Sequence, residues 1–127
     1  MESTLFRLVV AVLALVPISA GLAGIVLGPA FLSTDAPWSA DLDSHLRFLS
    51  GVFLMIGLAY WSCLKDPRAT SARFRLLCLA TIVGGLARLY SLSQAGWPSA
   101  GHQLGLIMEL VVVPLLLLWH HRLMRRP

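Results

Sequence analysis

Four stretches of the chain run for roughly twenty residues with almost no charge, and this pattern limits the fold more than any other feature. Leu8–Leu27 and Phe48–Leu64 contain no charged residue. Phe74–Leu92 is interrupted by Arg75 near its start and Arg88 near its end, and Leu104–Trp119 holds one acid, Glu109. A bilayer core about 30 Å thick is crossed by about 20 helical residues. Lipid supplies no hydrogen bonds to the backbone, so such segments are helical. The runs are continuous rather than alternating, which excludes a β-barrel. Composition agrees: 57% of the 127 residues are hydrophobic and 13% charged, whereas soluble domains carry about 25% charged residues. An ordinary globular enzyme and a disordered chain are both poor fits.

The expected fold is all-α: one transmembrane domain over residues 1–127, an antiparallel four-helix bundle. Its helices fall at approximately 5–28, 44–65, 72–93 and 102–121. The first run also resembles a signal peptide, with Met1–Arg7 as basic region and Ser19-Ala20-Gly21 as small-residue cleavage site. The apolar run continues through Ile25, Val26 and Leu27, so a retained helix is expected. Gly28, Pro29, Asp35 and Pro37 mark the first connection, with Asp41, Asp43 and Ser44 as N-caps for the second helix. Asp66-Pro67 marks the second connection, with Thr70 and Ser71 as caps for the third helix. Gly96, Pro98 and Gly101 mark the third connection.

The net charge of +4 orients the chain. Arg7, Lys65, Arg68, Arg73, Arg75, Arg122, Arg125 and Arg126 fall at one end of the helices, together with Glu2 and Asp66. Arg47, Arg88, Asp35, Asp41, Asp43 and Glu109 fall toward the other. Basic loops stay inside, so both termini are expected in the cytoplasm of a bacterial inner membrane. Basic charge so placed argues for lipid contact and against a nucleic-acid partner. His120 and His121, beside the terminal arginines, are expected to form a solvated cap facing lipid phosphates. Trp38, Trp61, Trp97 and Trp119 fit an interfacial aromatic belt. Cys63 and Cys78 fall in the helices as buried thiols.

Charge inside a span is expensive and usually faces a protein interior or cavity. Arg88 and Glu109 sit roughly 6–8 Å from the same end of consecutive helices at about 1.5 Å per residue. They are therefore expected to meet, and Arg47 reaches that level through its long side chain. Helical spacing groups Thr81, Gly84, Arg88 and Ser91 on one stripe, and His102, Gly105 and Glu109 on another. Asp43, Arg47, Ser50, Leu54, Gly57 and Trp61 form a third, with Asp43 and Arg47 an i,i+4 pair. Pro17, Gly21, Gly24 and Gly28 form a small-residue stripe that permits close helix approach. The candidate ligand-binding residues are Asp43, His45, Arg47, Ser50, Arg88, Ser91, His102 and Glu109. The bland alternative is that Arg88 and Glu109 only set helix register. Asp43, His45, His102 and Glu109 lack metal-site spacing, so no metal is expected, and no cofactor motif is present.

Asp43-Ser44-His45-Leu46-Arg47-Phe48-Leu49-Ser50-Gly51 opens the second helix. Gly84-Gly85-Leu86-Ala87-Arg88-Leu89-Tyr90-Ser91 closes the third, followed by Gly96-Trp97-Pro98, and Glu109-Leu110-Val111 lies in the fourth. In this combination the chain resembles the small bacterial membrane proteins grouped as domain of unknown function 4345. The resemblance implies a four-helix inner-membrane protein and no particular activity. It places Arg47, Arg88, Ser91 and Glu109 on the family's polar motif. The layout is also similar to four-helix sterol-isomerase-like membrane proteins, at the level of fold alone.

The leading expectation is a membrane protein that binds a lipophilic molecule or docks to a larger membrane complex through its outer polar cluster. One alternative is a lipid- or isoprenoid-modifying enzyme with Glu109 as acid/base. Another is a transporter or proton-relay subunit, acting as a homo-oligomer.

Overall fold

The structure, a computed structural model, describes residues 2–32 and 35–125, with Glu2 described by its backbone only. The carboxylate of Glu2 and the tail residue Arg126 lie outside the described residues. The described residues contain helices and no strands. Helix α1 spans Glu2–Leu27 and runs into a 3-10 turn over Gly28–Leu32. Helix α2 spans Ala40–Ser62 and α3 spans Ser71–Ala95. The last helical stretch has three parts: α4 (Ala100–Ile107), a π turn (Met108–Val112) and α5 (Val113–Arg125). Four stretches are long and apolar enough to cross a membrane: Ser3–Leu32, Ala40–Ser62, Ser71–Ala95 and Ala100–Arg125.

Two compact units divide the chain, Ser3–Lys65 and the residues from Asp66 onward. In the first unit, the small-residue face of α1 meets the predicted stripe of α2. A Cβ placed on Gly21 would lie 2.6 Å from the backbone nitrogen of Leu54, so the two backbones nearly touch. Gly24 lies against Ser50 and Gly57 against Ile18 and the Ala14 carbonyl. Near the other end of this contact, the Trp61 indole N–H donates to the Ala11 carbonyl at 2.9 Å. The partner positions rise along α2 as they fall along α1, so the two helices form a hairpin. The polar edge of Trp61 thereby ties the two helices together. Pro17 stands inside α1 without ending it.

The second unit is also a hairpin, α3 against the α4–α5 stretch. Gly85 lies against Glu109 and Leu110, and Phe74 stacks on His120 with ring centroids 4.7 Å apart. The π turn has a cause in the sequence. Pro114 has no N–H, and its ring crowds the carbonyl four residues back. The backbone responds one turn earlier by widening, and the Val113 N–H reaches to the Met108 carbonyl.

Several local expectations need correction. Helix α2 begins at Ala40, not 44, because the Ser39 side chain accepts the Leu42 N–H at 3.1 Å, so Asp41, Asp43 and Ser44 lie inside the helix. It ends at Ser62, before Asp66-Pro67 is reached. Asp66 instead shapes the turn, its carboxylate accepting the N–H groups of Arg68 (3.1 Å) and Ala69 (3.0 Å). Thr70 occupies the cap position of α3, but its hydroxyl donates to the Asp66 carbonyl and caps nothing. Gly96, at φ +83°, closes α3, a backbone region that glycine enters at little cost. His120 is not a solvated cap: it is 1% exposed, and only His121 of the pair is exposed. Cys63 and Cys78 are both buried and are not joined in a disulfide.

Candidate functional site

In the first unit, Arg47 is held by its own helix and by the end of its neighbour. Its Nε donates to Asp43 Oδ2 at 2.8 Å and its Nη2 to Asp43 Oδ1 at 3.0 Å, a two-pronged pair one helical turn apart. Its Nη1 donates to the carbonyls of Ile25 and Val26, the latter at 3.2 Å. The last carbonyls of a helix have no partners within it. Arg47 therefore caps the C-terminal end of α1, where cationic charge also suits the helix dipole. Gly28, at φ +57°, makes room for this arrangement, since a Cβ there would lie 2.7 Å from both Arg47 Nη2 and Asp43 Oδ1. Ser50 is buried against Gly24, and His45 is exposed on α2.

In the second unit, Arg88 of α3 reaches across to the opposite helix. Its Nε lies 3.0 Å from Glu109 Oε1 and 2.9 Å from Oε2, between the two carboxylate oxygens. The Glu109 side chain is 9% exposed and that of Arg88 37%. Arg88 Nη1 lies 2.9 Å from His102 Nδ1. Guanidinium has donors and no acceptor, so His102 Nδ1 accepts and the neutral ring carries its proton on Nε2. Gly85 lets the helices close on this pair, since a Cβ there would lie 2.8 Å from the Cβ of Glu109.

A partly open concavity of about 360 Å³ adjoins Arg88. Arg88, Ser91 and His102 give it a polar edge, and Leu92, Trp97, Pro98 and Leu106 an apolar wall. Glu109 does not line it. Among the described residues, no group of three or more His, Cys, Asp or Glu side chains is placed to hold a metal ion.

The family model described as Domain of unknown function (DUF4345) matches residues 5–120. The chain belongs to this family. No curated protein and no solved structure matches it. The DUF4345 match covers both arginine sites and the whole concavity.

Of the sequence-derived residues in this DUF4345 protein, Asp43 and Arg47 come together in the first unit, with Ser50 one turn farther along α2. Arg88, His102 and Glu109 come together in the second, with Ser91 on the rim. The stripe drawn through Gly84 needs correction: among the described residues a Cβ on Gly84 would meet no other part of the chain within 4 Å, and Gly85 makes the contact. The buried face of α3 runs through Phe74, Cys78 and Gly85. Sequence reasoning also missed Trp97 and Leu106 as walls, His120 as a core residue and the π turn at Glu109. Pro114 was the available signal for the last.

Proposed function

We propose that this protein is a four-helix integral protein of a bacterial inner membrane that binds a lipophilic molecule at the Arg88 concavity. The distribution of side chains supports the membrane: Val26 is 72% exposed and Leu76 68%, while Glu109 is 7% exposed. Water would penalise that arrangement and lipid favours it. Short connections favour an antiparallel bundle. The basic residues at positions 7, 65–75 and 122–125 favour both termini in the cytoplasm. A C-terminal alkaline phosphatase fusion is expected to be inactive, and an active one overturns this orientation.

One observation carries the ligand reading. Arg88 is held by Glu109 and His102, its Nη2 makes no hydrogen bond among the described residues, and the residue borders a concavity with apolar walls. A cation positioned so firmly beside open space is suited to orienting the polar head of a ligand whose tail lies on Leu92, Trp97 and Leu106. Docking to a larger membrane complex draws on the same exposed apolar surface, but no feature of that surface favours it over lipid. The enzyme alternative gains no support, because Glu109 is turned toward Arg88 and away from the concavity.

Native mass spectrometry of gently extracted protein tests the reading. Wild type is expected to carry a lipophilic adduct. Ser91→Trp, which fills the concavity and leaves the Arg88–Glu109 pair intact, is expected to lose it. Bare wild-type protein, or an adduct indifferent to Ser91→Trp, overturns the reading.

A further inference from the structure

We propose that the Arg88 concavity selects amphiphiles with an uncharged oxygen head, a ketone or ester carbonyl, over amphiphiles with an anionic head. The inference rests on the ligand-binding reading above and narrows the class of ligand. Its ground is the local charge balance. Among the described residues Arg88 is the one charged residue lining the concavity, and its charge is already matched by Glu109 at 2.9–3.0 Å. The Glu109 side chain is 9% exposed, so water screens its charge little. An anionic head approaching Arg88 therefore meets a neutral pair and feels the carboxylate behind the guanidinium. It would lose its hydration without gaining a net opposite charge.

An uncharged acceptor incurs no such loss. The rim residues carry donors for it: Arg88 Nη2, the Nε2–H of His102 and the Ser91 hydroxyl. None of the three has a hydrogen-bond partner among the described residues. Among the described residues no carboxylate lines the concavity to compete for these donors. A carbonyl oxygen with two lone pairs satisfies two of them at once.

The test compares probes with matched tails on the full chain in zwitterionic phosphatidylcholine nanodiscs. The probes are methyl dodecanoate, dodecanesulfonate and dodecyl phosphate, and the readout is equilibrium binding. Methyl dodecanoate is expected to bind wild type about tenfold or more tighter than either anion, the scale set by one unmatched charge contact. Glu109→Gln frees the Arg88 charge and is expected to invert the ranking. Ser91→Trp is expected to abolish binding of all three. An anion that binds wild type as tightly as the ester overturns the inference, as does a ranking unmoved in folded Glu109→Gln. Should Glu109→Gln fail to fold, the wild-type ranking decides alone. Anion-preferring binding that Ser91→Trp removes sinks the head-group inference and leaves the ligand-binding reading standing. If no probe shows Ser91-sensitive binding, both fall.

Discussion

The two hairpins each carry one arginine near the end of a hydrophobic helix, and they use it differently. Arg47 pairs with a carboxylate on its own helix and caps the neighbouring one, and both members of the pair are about 40% exposed (41% and 38%). Arg88 pairs with a carboxylate on the opposite helix that is nearly sealed off. The first hairpin holds its helices together by close backbone approach at Gly21 and needs its ion pair only at one end. The second brings its helices together over a charge. The same residue type thus serves as a cap in one unit and as a cross-link in the other. The cross-link also borders a concavity.

The largest test of this contrast is Arg88→Ala. It strands a buried carboxylate, and removal of one partner from such a pair costs about 3–5 kcal/mol. Chemical unfolding in mild detergent is expected to show that loss; a change within error would mean that Glu109 finds another partner. Next comes Gly21→Ala, whose added Cβ meets the Leu54 backbone, which cannot move aside as a side chain does. Overpacking of this kind costs about 1–3 kcal/mol. Gly51→Ala, with nothing within 4 Å, serves as its control and is expected to stabilise slightly through helix propensity. Trp61→Phe removes the hydrogen bond to the Ala11 carbonyl and is expected to cost about 0.5–1.5 kcal/mol by the same unfolding measurement. The smallest effect is expected from Asp43→Ala, because its pair is exposed and screened. That loss should shrink further in high salt, whereas the Arg88→Ala loss should not. If Asp43→Ala rivals Arg88→Ala, the distinction between cap and cross-link collapses.

The sequence was most legible where the helical period and small side chains pointed the same way. Gly21, Gly24 and Gly28 recur at three- and four-residue steps, as do Arg47, Ser50, Leu54 and Gly57, and these two faces meet. Arg88 and Glu109 were legible because charge in an apolar run has few low-energy placements. Reading failed where two faces competed. Helix α3 carries adjacent glycines about 100° apart on the helix, and the polar stripe favoured Gly84 whereas packing uses Gly85. His120 misled because its basic neighbours suggested solvent, while its ring finds Phe74. Of the concavity, the polar edge of Arg88, Ser91 and His102 was legible and the apolar walls were not. Its walls come from the end of α3, the turn after it and the start of α4, and no periodicity links them.

The π turn also leaves a gap in the backbone's own accounting. The Glu109 carbonyl would accept from the Val113 N–H in a regular helix, but that N–H is given to Met108. One residue further on stands Pro114, which has no N–H to give. The helix therefore gives the Glu109 carbonyl no main-chain donor of its own. Lipid has none to lend, so a water molecule or a hydroxyl is the natural guest at this level. The only acid of the α4–α5 stretch thus shares its residue with a thirsty backbone oxygen, and hydration of the helix interior would begin there.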